Sequence, residues 1–429
     1  MIKKRVGFYL PNASFKNVDC RNLRDGNPGI GGSEYALLMI SHELHERDNG
    51  IEITVFAEDV NNYLPEMNYI QVAHLPEAIA QSEASGMDIL VFKGGIHPFS
   101  CLEKISSNLK IVVWCHNFMN LEKLNYLAKN KSVARIICVG REQLDMYRDH
   151  PAFLKSDYIY NGVYTDSDDH DQMPPFTDRP EWVTYIGSII PAKGVHYLLK
   201  NWKKVIRKKP DAQLHIIGSG QLYNRNAKLG KYGIAEEKYE DSFINFILED
   251  GKIMPSVHFH GIMGSEKDEI LRKTKVGCPN PSGQTETYGF TAVEMQMAGA
   301  HIVTKKCCGY LDTVNPRTGK LYANVSKLSK MIITELNRKD DDYESTFRFI
   351  ASKFSVDIII PQWEELLGEK ISTGEKLHDE SIVNRNFELK WLKESLRKVK
   401  AKFPVLYTLM PSYLWWRNKL VRLHLIKPV

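Results

Sequence analysis

Glu286 and Glu294 stand with seven residues between them in "PSGQTETYGFTAVEMQMAG" (281–299), and Gly289 lies in the gap. The stretch reads as a loop followed by a helix, so Glu286 precedes the helix and Glu294 sits a turn or so inside it. Gly289 permits close backbone approach. The amides of Gly289, Phe290 and Thr291 then fall at the helix N-terminus, where N–H groups lack intrahelical partners and the helix dipole favours an anion such as a phosphate. A carboxylate accepts hydrogen bonds from vicinal hydroxyls. Two carboxylates flanking an anion seat therefore suit a ligand built as polyol, diphosphate and polyol in series, although the pair taken alone also fits a loop acid and a solvated helix acid.

Other segments carry compatible chemistry. In "YIGSIIPAKGVHYLL" a strand ends at Gly187, a turn follows, and Lys193-Gly194 then stands at the mouth of a helix, from which an ammonium reaches a phosphate as a point charge. "PGIGGSEYALL" places Gly31 and Gly32 between a strand and a helix, with Ser33 as the expected N-cap and Glu34 in the first turn. "VVWCHNF" ends a strand with His116 and Asn117, on the side where ligands of such sheets bind. Asp166-Ser167-Asp168 has the form of a metal-binding Asp-x-Asp, but no apolar strand precedes it and it sits in an acidic stretch, so it reads as solvated linker. The seven cysteines are scattered and none has zinc-ligand spacing, which predicts reduced, mostly buried thiols and no metal site.

The elements that must position these residues follow an α/β rhythm. "RVGFYL", "IEITVFA", "DILVFKG", "KIVVWCH" and "RIICVG" read as strands, with helical patterns at "SEYALLMISHELHER" and "REQLDMYRDH". After the Asp- and Pro-rich stretch "NGVYTDSDDHDQMPPFTDRPE" the rhythm restarts with "WVTYIGS", "GVHYLLKNWKKVIRK", "AQLHIIGSG", "SVHFHGI", "VGCPNPS", the helix after Tyr288, and "AHIVTKK". The alternation predicts two doubly wound parallel-sheet domains with a cleft between the carboxyl ends of their strands. The expected boundaries are 1–165, a linker at 166–180, 181–353, and a C-terminal helical extension at 354–429. Residues 221–255 read as a polar, partly helical insertion with no assigned role.

In this order, the segments resemble the retaining glycosyltransferases of family 4, which have the GT-B fold of two Rossmann-like domains. The resemblance covers roughly residues 1–368. Its most specific part is the Glu-x7-Glu segment with its Gly-Phe; "YNGV" at 160–163, "IIGSG" at 216–220 and "CGYLDTV" at 308–314 support it. It implies a hexose moved from a UDP- or GDP-sugar to a glycan, glycolipid or protein-glycan acceptor, with no cofactor and no metal. It implies that Glu286 contacts the donor sugar and Glu294 the ribose, that Tyr288 to Thr291 hold sugar and diphosphate, and that Lys193 neutralises the diphosphate. His116 would lie beside the anomeric centre, and Gly31 and Gly32 would approach the phosphates or the acceptor. The chain departs from the family pattern at Ser188, where many members have Arg, so that Lys193 carries more or Lys305 compensates. It departs again at Cys308-Gly309 and Asp312, where Gly-Gly and Glu are common.

Three rival functions remain. A sugar-nucleotide epimerase shares fold and donor but needs acid/base groups at C2, which no residue here supplies. A non-catalytic partner subunit would not require Glu286, Lys193 and His116. A nicotinamide-dependent dehydrogenase lacks its glycine fingerprint, since "GSGQLYN" fails the pattern.

Of 429 residues, 43% are hydrophobic and 25% charged, as in a globular protein. The start, "MIKKRVGFYLPN", reads as a first strand and not a signal peptide, and no apolar run is long enough to span a bilayer. The net charge of +5 is unevenly spread: from Lys390 onward there are ten Lys/Arg against Glu394 alone, so the tail carries +9 and the remainder −4. Trp391, Tyr407, Tyr413, Trp415 and Trp416 lie among those cations. Such a mixture suits either a segment lying on an anionic membrane or a helix packed on the first domain with its basic face in water. The expectation is a cytoplasmic protein that binds no nucleic acid, with the tail open between peripheral attachment to the membrane face and packing on the first domain.

Overall fold

A computed structural model describes residues 3–95, 99–106, 108–165, 173–222, 226–340 and 342–425. Asp166-Ser167-Asp168 therefore lies outside the described residues. The chain divides into two compact units, one made of 1–16, 36–162 and 356–429, the other of 17–35 and 163–355.

The first unit holds β1 (Lys4–Leu10), β2 (Ile51–Ala57), β3 (Tyr69–Gln71), β4 (Ile89–Lys93), β5 (Lys110–Cys115), β6 (Val133–Cys138) and β7 (Ser156–Tyr158). They form one sheet in the order β3-β2-β1-β4-β5-β6-β7, parallel throughout. Strands covered on both faces carry apolar residues continuously and not alternately, and β4, "ILVFK", is buried at every position. Short helices enter on side-chain caps. Asn120 accepts from the Lys123 amide ahead of helix Leu121–Lys129, and His74 accepts from the Glu77 amide ahead of helix Leu75–Ala84.

The C-terminal segment returns to this unit. Helix Val356–Glu365 lays Trp363 between Phe8 of β1 and Trp114 of β5, with ring centroids 6.3 and 4.7 Å away. Helix Lys390–Lys402 then packs with an inward face that is charged. Lys390 pairs with Glu142 at 2.6 Å and Asp145 at 3.0 Å, and Lys400 donates to the Asp149 carbonyl at 2.9 Å. Lys393 is fully buried over the Tyr413 ring, and burial pulls its ammonium down to about 8. Arg148 joins the cluster through Asp145 and Glu394. The expected packing of aromatics inward and cations outward is thus inverted for these three lysines, because the helix meets an acidic surface, Glu142, Asp145 and Asp149, and not an apolar one.

The second unit holds β8 (Trp182–Ile186), β9 (Gln213–Ile217), the hairpin β10 (Leu248–Glu249) and β11 (Lys252–Ile253), β12 (Val257–Gly261), β13 (Thr274–Gly277), β14 (His301–Lys305) and β15 (Gly319–Tyr322). Its main sheet is parallel in the order β12-β9-β8-β13-β14-β15. Helix Val195–Ile206 covers it with Val195, Leu198, Leu199, Trp202 and Val205, a stripe of helical period, and leaves Lys200 exposed. The 221–255 insertion proves less polar in effect than its composition suggests. It supplies Phe243, Ile247 and Met254 to this unit's core, and buried Glu240 ties the Tyr232, Ile234 and Ala235 amides.

Residues 17–35, which chain order assigns to the first domain, are grouped with the second unit. Tyr35 donates to the Leu23 carbonyl at 2.9 Å and meets the Phe290 ring edge-on at 6.0 Å. The helix expected to start after a Ser33 cap begins two residues earlier, at Gly32, with the Gly31 carbonyl accepting from Glu34 and Tyr35; the Ser33 hydroxyl bonds the Glu34 carboxylate instead.

Candidate active site

The strand order of the second sheet reverses between β8 and β13, and a crevice opens at such a switch point beyond the carboxyl ends of the two strands. The loops leaving those ends carry Lys193 and Glu286. The Lys193 ammonium donates to Glu286 Oε2 at 2.9 Å, with both side chains mostly buried, and Asn280 Nδ2 donates to the same oxygen at 2.9 Å. Gly194 makes the approach feasible. Its φ is +70°, and a Cβ there would stand 2.7 Å from the Ser282 amide nitrogen. The Ser282 hydroxyl in turn bonds the Ala192 carbonyl, stitching the two loops together.

The 286–289 backbone is fixed from below by helix Cys308–Thr313. The Gly309 amide donates to the Glu286 carbonyl at 3.1 Å and the Thr313 hydroxyl to the Tyr288 carbonyl at 2.9 Å. A Cβ on Gly309 would meet the Tyr288 nitrogen at 2.5 Å, which explains the glycine retained in "CGYLDTV". Gly289, at φ +94°, caps helix Phe290–Met297, and its α-carbon faces the Tyr310 ring. The helix therefore starts four residues after Glu286 in the chain, and its first amides lack intrahelical partners. Tyr288 is buried against Phe290 and Phe354, and burial holds its hydroxyl well above the ordinary range, so it stays protonated and acts as packing. Ser188 is buried with its hydroxyl 3.4 Å from the Ser219 carbonyl, and Lys305, the expected compensating cation, donates to the Ala323 carbonyl.

Glu294 lines a cavity of about 490 Å³ in the same unit, whose walls include Arg24, Tyr35, Tyr164, Lys267 and Phe290. The buried Lys267 ammonium lies 3.7 Å from Glu294 Oε1 and donates to the Asn27 and Gly264 carbonyls at 3.3 Å. Arg24 stacks over Tyr164 at 4.8 Å. Gly32 presses on Phe290, where a Cβ would come within 3.2 Å of the ring, so Gly32 borders the helix that carries Glu294, while Gly31 lies against Glu34. Sequence reasoning missed Lys267 and Arg24 because each lies in a charged run, "GSEKDEI" and "CRNLRDG", that reads as solvated surface.

His116 belongs to the first unit, at the carboxyl end of β5 and next to that sheet's own reversal between β1 and β4. Its ring lies 4.4 Å from that of Trp114. Burial, reinforced by the nearby Lys93 ammonium, holds its pKa well below the usual value, so the imidazole is neutral near pH 7.

Residues 166–341 match the model of the glycosyl transferases group 1. This segment is a glycosyl transferases group 1 domain. A GDP-mannose-dependent monoacylated alpha-(1-6)-phosphatidylinositol monomannoside mannosyltransferase of Corynebacterium glutamicum is 26% identical over 207 residues, which span 46% of this chain and 47% of that protein, about half its length. An uncharacterized glycosyltransferase of Haemophilus influenzae is 21% identical over 396 residues, 85% of this chain and all of the relative. Among solved structures, Anabaena Alr3699/HepE in complex with UDP and glucose superposes with a TM-score of 0.59 at 15% identity, covering 85% of this chain and 99% of that one. The group 1 domain and its companion sheet thus have the GT-B fold.

Proposed function

We propose that the chain is a retaining glycosyltransferase that moves a hexose from a UDP- or GDP-sugar to a glycan, glycolipid or protein-glycan acceptor. The observation that carries this reading is the Lys193–Glu286 pair, held at the switch point of the group 1 domain beside the N-terminus of helix Phe290–Met297. Departure of a nucleoside diphosphate from C1 builds negative charge on the leaving oxygen and positive charge on the sugar. A fixed ammonium and unpaired helix amides stabilise that oxygen where the charge appears, which is work a divalent ion does elsewhere. In this reading Lys193 and the amides of Gly289, Phe290 and Thr291 take the diphosphate, Glu286 takes sugar hydroxyls and Glu294 takes the ribose. His116 enters this reading on the family resemblance alone, which puts it beside the anomeric carbon; its neutral imidazole adds no positive charge. The corynebacterial relative is named for GDP-mannose as donor and a phosphatidylinositol monomannoside as acceptor, which supports the donor and acceptor classes proposed here.

The test is sugar transfer, or donor hydrolysis without acceptor, by Lys193→Ala and Glu286→Ala in the presence of chelator. Each substitution lowers turnover on the order of 10²-fold, the cost of one preorganised charge-stabilising contact. Near wild-type hydrolysis by Lys193→Ala, or complete loss of wild-type activity with chelator and rescue by manganese, overturns the assignment.

A further inference from the structure

The tail's inverted packing leaves an unusual outer surface. Helix Lys390–Lys402 spends its inward arc on Lys390, Lys393 and Lys400, so its outer arc carries Trp391 and Val399, 42% and 46% exposed. The chain then turns through Phe403, Val405 and Leu409, 53%, 62% and 69% exposed, and enters helix Tyr413–Arg422. Leu414 and Arg417 face inward there, while Trp416, Leu420 and Leu423 face out. Most of the protein's strongly exposed large apolar side chains among the described residues thus sit on this one extension. A fold that merely needed a brace would have turned them inward; a soluble surface seldom gathers so many.

The charge around them is one-signed. No Asp or Glu occurs after Glu394. Lys400 and Arg417 are buried, and Arg397 is paired with Glu380 and Glu394, but Lys398, Lys402, Lys419 and Arg422 are exposed among the apolar residues. Lys402 lies over the Phe403 ring at 5.6 Å, and Lys419 over Trp415 and Trp416 at 5.1 and 5.9 Å. Aromatic rings with cations beside them match the headgroup boundary of a bilayer, where the ring sits at the interface and the ammonium reaches lipid phosphate. A second copy would set these cations against their own kind. No described helix is long and apolar enough to cross a membrane.

We infer that residues 391–425 form a docking surface for an anionic lipid bilayer, with Phe403, Val405, Leu409, Trp416 and Leu423 entering the interface and Lys398, Lys402, Lys419 and Arg422 binding lipid phosphates. The buried lysines and the exposed aromatics then have complementary tasks. Lys390, Lys393 and Lys400 fix the extension to its own domain, which leaves the apolar side for the lipid.

The experiment is co-sedimentation of the full chain with phosphatidylcholine vesicles, with and without phosphatidylglycerol, at low and high salt. Three proteins are compared: wild type, Val405→Asp/Leu409→Asp, and Leu154→Asp, which alters a leucine 57% exposed outside the extension. Wild type and Leu154→Asp bind the anionic vesicles and are released by salt. The double variant binds roughly tenfold more weakly at an unchanged unfolding temperature, as expected when two apolar anchors become like-charged with the lipid. Quenching of wild-type tryptophan emission by bromine-labelled acyl chains gives the same answer without any variant. Absence of binding by wild type, equal binding by the double variant, or a dimer in sedimentation that Val405→Asp/Leu409→Asp dissociates would each overturn the inference.

Discussion

Lys390→Met tests how the C-terminal extension is held. The lysine is 1% exposed, and its ammonium contacts Glu142 at 2.6 Å, Asp145 at 3.0 Å and the Val383 carbonyl at 2.7 Å. Methionine keeps the length and apolar stem but removes the charge. Asp145 retains Arg148, and Glu142 retains the neutral Asn384 amide at 2.9 Å. Burial already pushes the Glu142 carboxyl upward, with Lys390 as the main opposing influence. Without Lys390 the buried carboxylate loses the main influence that opposes its burial, or takes up a proton. Breaking a buried pair in this way costs about 3–5 kcal/mol, a large fraction of a domain's stability. The control is Lys398→Met, whose side chain is 72% exposed and whose loss costs no more than about 0.5 kcal/mol. Lys390→Met/Glu142→Gln removes both charges and recovers much of the deficit, since an absent pair is far less harmful than half of one. Urea unfolding of the four proteins, followed by tryptophan fluorescence, gives the energies. A Lys390→Met cost below about 1 kcal/mol, or a double variant no more stable than the single, refutes an electrostatic lock.

Gly289→Ala places a Cβ 2.5 Å from the Tyr310 ring at φ +94°, so it destabilises the group 1 domain by about 1–2 kcal/mol from backbone conformation alone and weakens donor binding by distorting the helix start; an unchanged thermal midpoint contradicts that cap geometry. His150, 2% exposed, is lowered by burial and by Lys400 from 6.5 to about 4, so its neutral form is the native one. The unfolded chain takes up that proton first, and stability that is intact above pH 6.5 falls by about 1.4 kcal/mol per pH unit between there and about pH 4. His150→Asn keeps an acceptor for the Ala152 amide and removes this slope, while Glu142 and Asp149, raised by burial and acting in the opposite sense, remain in both proteins. Parallel pH profiles of urea midpoints for the two chains would falsify the assignment.

Much of the fold is legible in the sequence because parallel strands buried on both faces announce themselves as apolar runs, as in "DILVFK" and "KIVVWC". Short edge strands do not. β7, "SDY", and β15, "GKLY", have little apolar signal and exist by pairing with a neighbour already in place. Within the site, Lys193 and Glu286 were readable as candidates because loops at strand ends are where chemistry collects. Their pairing was not, since it depends on Gly194 letting two loops 93 residues apart touch. The grouping of 17–35 with the second unit escaped for the same reason: it rests on Tyr35 meeting Phe290, a contact no local pattern encodes. The tail's composition was plain but its orientation was not, because lysines turn inward only where the opposing surface is acidic.

The central claim is that the Lys193–Glu286 corner of the group 1 domain receives the diphosphate of a sugar nucleotide. Calorimetric titration of the wild type and Lys193→Ala with UDP-, GDP- and ADP-sugars, without added metal and with chelator present, tests it directly. The account predicts saturable binding of one of the UDP- or GDP-sugars to the wild type and at least tenfold weaker binding to Lys193→Ala, the ~1.4 kcal/mol equivalent of a lost charge-assisted contact. Binding of no sugar nucleotide by the folded wild type, or equal affinity in the two proteins, contradicts it.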